Sequence, residues 1–158
     1  MKNKKTTYSQ YLKLDKILDA QAPLSNKLKK PIHDETLFII IHQIYELWFK
    51  QIIHELESIV TFFSEESITE KKINIALVRL DRIHNIQKIA NDQIQILNSM
   101  TPMDFLEFRD LLNPASGFQS AQFRIIENIL GLKKENRLKF SKKDYKDFLS
   151  KPERVLVE

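Results

Sequence analysis

Asp34-Glu35-Thr36-Leu37-Phe38-Ile39-Ile40-Ile41-His42-Gln43-Ile44-Tyr45-Glu46-Leu47-Trp48-Phe49-Lys50 is the stretch that decides the fold. It contains neither glycine nor proline, and its acidic start suits the positive end of a helix dipole. Pro31, just upstream, reads as part of the first turn, where a missing N–H costs nothing. A helix starting there can run to about Ser64, roughly 50 Å at ~1.5 Å per residue. Residues 37–41 are apolar all round, so this part is expected inside a bundle. Beyond Lys50 polar residues return, and one face should meet water.

The sequence on either side reads the same way. Tyr8 to Asp19 carries apolar residues at 8, 11, 12, 14, 17 and 18, a helical stripe. Residues 21–30, with Pro23 and Ser25, read as a loop. Thr69 to Leu97 places Ile73, Ala76, Leu77, Leu80, Ile83, Ala90, Ile94 and Leu97 at helical period. Thr101-Pro102-Met103-Asp104 supplies an N-cap, a proline at the first helical position and an acid in the first turn of a helix reaching about Leu112. Residues 113–117 form a loop. Ser116-Gly117-Phe118-Gln119 resembles a capping box, opening a helix that ends at Gly131. Ser141-Lys142-Lys143-Asp144 is expected to cap one last short helix through Leu149. Short loops between long helices predict an all-α fold: residues 1–158 as a single helical domain, a bundle of long antiparallel helices.

Composition agrees with that reading. The 158 residues include two glycines, Gly117 and Gly131, where average usage gives roughly eleven. That argues against sandwiches, barrels and glycine-rich nucleotide loops. There is no cysteine, which excludes disulfides, zinc–thiolate centres and cysteine nucleophiles. No run approaches the ~18 apolar residues of a membrane span, and no apolar signal core follows the charged N-terminus. A cytoplasmic protein without a membrane or nucleic-acid partner is expected. Charge is uneven: residues 1–30 carry net +6, residues 31–130 net −6, and residues 131–158 net +4. Basic ends on an acidic body do not make a nucleic-acid groove, which needs a stripe along one face.

Four constellations could carry chemistry. Phe38, His42, Tyr45 and Phe49 share one helix face. The imidazole there is either a core histidine satisfied by a neighbour or a group aimed into a buried pocket. Phe105, Arg109 and Leu112 form a second stripe, with a guanidinium among apolar residues. It either pairs with Asp104 or Glu107, snorkels to solvent, or is a fork held ready for a ligand carboxylate. Residues 113–120 place a glycine and two hydroxyls at a helix start, which serves as a cap or as an anion site. Tyr8, Tyr11 and Leu12 make one apolar face on a helix too short to stand alone, so it must dock on this chain or on a partner. A carboxylate-bundle di-metal site needs Glu-x-x-His motifs. None of the four histidines has one, so a di-metal bundle is set aside.

Taken together, the ordered blocks resemble the tryptophan 2,3-dioxygenases. They are Tyr8-Ser-Gln-Tyr11-Leu12-Lys-Leu14-Asp15, His33-Asp34-Glu35-Thr-Leu37-Phe38-Ile39-Ile-Ile-His42-Gln43, Glu46-Leu47-Trp48-Phe-Lys50, Phe105-Leu-Glu-Phe108-Arg109, and Pro114-Ala-Ser116-Gly117-Phe118-Gln119-Ser120-Ala-Gln122-Phe123-Arg124. The likeness runs from about Thr7 to Phe148. It implies an all-helical, homotetrameric enzyme with haem b and its iron as cofactor. Such an enzyme inserts both atoms of O2 across the indole C2–C3 bond of L-tryptophan, giving N-formylkynurenine, the first step of tryptophan catabolism by the kynurenine route. The resemblance assigns His42 to the distal side, hydrogen-bonding the indole N–H, and Arg109 to the substrate carboxylate. Phe38, Phe105 and Leu112 would enclose the indole. Ser116, Gly117 and Phe123 would lie beside the haem. Tyr8, Tyr11 and Leu12 would enter a neighbouring subunit's pocket.

The family chain is longer. By the resemblance, the axial histidine and a Gly-Thr-rich closing loop belong to a C-terminal half outside these residues, so this chain is expected to supply the distal substrate pocket. It would be one part of an authentic dioxygenase, completed by a second polypeptide or cut short. The different-class alternative is a haem-free helical oligomerisation or regulatory module. The dioxygenase reading leans on one arrangement, Arg109 and His42 from separate helices meeting across a dry aromatic cavity, and it falls if the two point into bulk solvent or lie apart with solid packing between them.

Overall fold

The computed structural model describes residues 5–137 and 144–157. Among them every regular element is helical and none is a strand. The α-helices are α1 (Tyr8–Leu12), α2 (Leu14–Ile17), α3 (Asp34–Phe63), α4 (Glu70–Leu97), α5 (Pro102–Arg109), α6 (Ala121–Ile129) and α7 (Lys151–Val157). One-turn 3-10 helices lie at Leu24–Lys27, Asp110–Leu112, Gly117–Gln119, Lys134–Asn136 and Tyr145–Phe148. No described helix is long and apolar enough to cross a membrane.

α3 and α4 form the antiparallel hairpin on which the rest is built. Tyr45 of α3 donates its hydroxyl hydrogen to the Ala90 carbonyl at 2.7 Å. Further along α3, Glu55 meets Arg82, and Phe62 lies under Arg79, 4.9 Å from its guanidinium carbon. Partners thus run backward along α4 as they run forward along α3. Between the helices lies the core: Ile52, Leu56 and Ile59 of α3, Ala76, Ile83 and Ile86 of α4, and Ile126 of α6. Burying each large aliphatic side chain stabilises by about 1.5–3 kcal/mol, which makes this seam the main source of cohesion. A polar belt closes it. Glu55, 3% exposed, binds Arg82 at 2.5 Å and Gln51 at 2.7 Å, with Arg79 at 3.6 Å.

Glu35 does more than complement the helix dipole. Its carboxylate is fully buried and accepts the backbone N–H groups of Leu24 at 2.7 Å and Ser25 at 2.8 Å. Ser25, also fully buried, accepts the Ile32 N–H at 3.0 Å. The loop before α3 is thereby folded onto the helix start.

Several expectations need correction. The single helix expected over Tyr8–Asp19 is broken at Lys13, whose backbone is left-handed (φ 54°) and serves both as the end of α1 and the start of α2. Neither short helix buries a residue, so nothing holds them in one straight rod. Pro31 lies ahead of α3 rather than in its first turn; His33 is the N-cap, with Asp34 and Glu35 in the first turn. Of residues 37–41 only Ile41 is buried, and Ile40 is 38% exposed, because α5 and the loops cover one side of this stretch. The Ser116–Gln119 capping box is present, yet it caps a single 3-10 turn, and Ser120 caps the α-helix that follows. Gly131 ends that helix with φ 73°, as expected. At the end of the chain, Asp144 caps the turn Tyr145–Phe148, while Ser141, Lys142 and Lys143 lie outside the described residues. α7 was not foreseen; it seats Val157 in a buried position.

Candidate functional site

α3 and α5 bring two aromatic clusters together. The Phe38 ring lies 5.7 Å from Phe105 and 5.5 Å from Phe108, and Phe105 meets Phe108 edge-on at 5.5 Å. Phe108 is fully buried and backs the other two. α5 is held in place by its own cap. Thr101 accepts the Asp104 N–H, and its N–H and hydroxyl donate to the Asp104 carboxylate at 2.9 and 2.6 Å. Those bonds hold the Asp104 carboxyl below its ordinary value. They also occupy one of the two acids, Asp104 and Glu107, that the sequence offers Arg109 as a local partner.

In front of this wall opens a cleft of about 530 Å³. Its sides are Phe38, Ile39, His42, Gln43 and Glu46 of α3, Phe105 and Arg109 of α5, Leu112, and residues of the 115–120 loop. A second lobe of about 360 Å³ continues past His42 and Glu46, between Tyr45 and Phe49 of α3 and Gly117, Phe118, Phe123 and Arg124. His42, Glu46, Ser116, Gly117 and Ser120 line both lobes. His33, His54 and His84 line neither.

Arg109 is half-buried and forms no ion pair with any described residue. The expected alternative of a local pair with Asp104 or Glu107 is not found. A guanidinium in this position keeps its planar fork for an incoming carboxylate. His42 differs from the buried imidazole of the sequence reading: it is exposed on the cleft wall. Its ring stacks on Phe38 with centroids 4.1 Å apart, and Nδ1 lies 2.7 Å from the Phe38 carbonyl oxygen. A carbonyl only accepts, so Nδ1 carries the hydrogen. In the neutral ring Nε2 is then an acceptor. Arg109 and His42 do line one cavity, but an open one rather than a dry one.

The loop supplies the remaining surface. Ser116 donates its N–H to Gln119 Oε1 at 3.0 Å and accepts the Phe118 N–H at 3.3 Å; Ser120 accepts the Phe123 N–H at 3.2 Å. These hydroxyls act as caps. No heavy atom comes within 4 Å of where a Gly117 side chain would begin, so a flat group can approach the backbone there. Phe123 is 40% exposed, 5.5 Å from Phe49.

Tyr8, Tyr11 and Leu12 are not brought to this cleft. They are 76%, 78% and 37% exposed on α1. Among the described residues, no three His, Asp or Glu side chains gather as a metal-binding group. Sequence reasoning missed three contributors. Phe108 sits behind the stripe that was read through 105, 109 and 112. Gln122 reaches across to Glu46. Arg124 is 5% exposed, is paired to Glu127 at 2.8 Å, and keeps a buried Nε with no hydrogen-bond partner. A cation inside an otherwise amphipathic run was the one available signal for Arg124.

The sequence profile of the family described as tryptophan 2,3-dioxygenase matches residues 1–158. Proteins named tryptophan 2,3-dioxygenase from Anopheles gambiae and Aedes aegypti are 57% and 55% identical over 145 residues, covering 92% of this chain and 37% of theirs. One of the same name from Alteromonas mediterranea is 50% identical over 151 residues, covering 96% of this chain and 42% of its own. The chain therefore spans about two-fifths of the length of these relatives, less than the half expected.

Proposed function

The chain belongs to the tryptophan 2,3-dioxygenase family, and on that premise we propose that it forms the substrate wall of a haem-dependent enzyme adding both atoms of O2 to L-tryptophan, with N-formylkynurenine as product. One observation carries this reading: an unpaired guanidinium and an imidazole with a free acceptor nitrogen line one aromatic cleft. L-tryptophan offers a carboxylate, an N–H donor and a bicyclic ring to match.

Each residue then has a task. Arg109 takes the carboxylate through two parallel N–H···O bonds and fixes the amino-acid end. Phe38, Phe105 and Leu112 enclose the indole, and their faces exclude water from it. His42 Nε2 accepts the indole N–H, a role its Nδ1–H bond to Phe38 prepares by setting the tautomer. It orients the ring and is not an obligatory base. The second lobe suits one face of haem b. Phe49 and Phe123 offer apolar surface, Gly117 leaves room for close approach, and the buried unpartnered Nε of Arg124 suits a haem carboxylate. Haem iron, when bound, supplies the oxygen chemistry. None of His33, His54 and His84 lines either lobe, so a protein ligand to the iron would come from the part of the relatives' length that this chain does not cover, supplied in the test below as a second polypeptide. The exposed Tyr8, Tyr11 and Leu12 belong in the pocket of a neighbouring copy within a homotetramer.

Reconstitution tests this. The chain is mixed with haem and a polypeptide covering the remainder of the Anopheles relative, and N-formylkynurenine is measured after adding L-tryptophan under air. Product from this mixture, and at least a hundredfold less with Arg109→Ala, is expected. Absence of product from two folded partners that bind haem would overturn the proposal; folded partners that take up no haem would overturn it in favour of the haem-free module.

A further inference from the structure

The Gln122 amide crosses from α6 to Glu46 of α3. Its Nε2 donates to the Glu46 backbone carbonyl and to the Glu46 carboxylate, both at 2.8 Å. The residues are 76 positions apart in sequence, and both are half-buried. Glu46 stands one turn beyond His42, on the same side of α3, and lines both lobes. Gln122 stands two residues after Ser120, the cap of α6.

α6 is held at its far end by apolar packing. Ile126 belongs to the buried core, and Ile129 packs against it. Its first turn is packed more loosely: Phe123 lies 5.5 Å from Phe49 of α3 but is 40% exposed, and the buried Arg124 stacks on Tyr145 rather than on α3. The polar clamp adds directed bonds to the Phe49–Phe123 contact in seating this end of the helix, together with the 116–120 loop that leads into it. A hydrogen bond to a carboxylate is stronger than one between neutral groups, and two bonds from one amide fix direction as well as distance. We propose that Gln122, held by Glu46, is a positioning residue: it sets the spacing between the His42 face of α3 and the 116–120 loop, and so the width of the ligand cleft. This deepens the functional reading above and rests on it.

Gln122→Met tests the clamp, because it keeps length and removes both donors. Hydrogen–deuterium exchange is followed in the full chain, alongside calorimetric titration with L-tryptophan in the presence of haem and of the polypeptide covering the remainder of the Anopheles relative. Exchange at residues 116–124 should rise at least fivefold with α4 unchanged, and tryptophan should bind about tenfold more weakly. Gln122→Asn, which keeps an amide donor on a shorter stem, should fall between the two. Unchanged exchange at 116–124 would overturn the proposal, as would an equal rise across α4, which marks general loss of stability. Unchanged tryptophan affinity beside normal wild-type binding would overturn it as well. If the wild-type chain takes no tryptophan, the functional reading fails, and the exchange result alone decides the clamp.

Discussion

At the residue scale, Arg109 and His42 are legible in the sequence because each interrupts an apolar stripe. A charged or titratable group on a face that should be buried needs a partner, and among the described residues Arg109 forms no ion pair. The Phe38 carbonyl 2.7 Å from Nδ1 makes the His42 prediction specific. With Nε2 as an acceptor, His42→Ala should weaken L-tryptophan binding about tenfold, the worth of one hydrogen bond. It should leave binding of 1-methyltryptophan, which lacks the N–H, within twofold of wild type. Titration calorimetry in the presence of haem reads both; equal losses for the two ligands would refute the hydrogen bond. Gln122 and Arg124 were not legible. Polar residues on an amphipathic helix look like its wet face until the fold places them against a neighbour.

At the element scale, α3 and α4 were read almost to the residue, since long periodic segments write their burial into spacing. Their exposed apolar ends, the kink at Lys13 and the whole of α7 were not, because none of these arises from period. Two buried carboxylates fix the acid behaviour of these elements. Burial pushes the Glu35 carboxyl up, but hydrogen bonds from Ser25 and the Leu24 N–H outweigh it and hold it below 4.5. Burial likewise pushes Glu55 up, and bonds from Arg82 and Gln51 with the charges of Arg82 and Arg79 hold it below the same value. A carboxyl lowered on folding stabilises fully above its unfolded value and loses that contribution as pH falls through the folded one. The unfolding midpoint should therefore hold steady above pH 4.5 and drop below it. Glu35→Gln should cost about 1–3 kcal/mol at neutral pH, through donors left poorly satisfied, and flatten the acid limb. A denaturant series from pH 3 to 7 checks both. In the core, Leu56→Ala should cost about 2–5 kcal/mol in the same assay.

At the scale of the whole molecule, the chain presents one face of a site: an open cleft, a free cation, and an aromatic arm with Tyr8 and Tyr11 more than three-quarters exposed. Such surfaces call for partners, and the proposed ones are haem, tryptophan, a neighbouring copy and a second polypeptide. Tyr8→Ala with Tyr11→Ala should shift the chain toward smaller species in sedimentation velocity while leaving its thermal midpoint within ~2 °C, because these residues bury nothing in the isolated chain. A shifted midpoint with unchanged sedimentation would instead assign them a role within the chain. The most direct test of the central claim is the visible absorption spectrum of the haem-loaded protein, reconstituted with the polypeptide covering the remainder of the Anopheles relative, during titration with L-tryptophan, for wild type and Arg109→Ala. The account predicts a Soret band that shifts and saturates for wild type and needs at least tenfold more tryptophan for Arg109→Ala. Superimposable titrations, or a spectrum of free haem that ignores tryptophan in both, would contradict it.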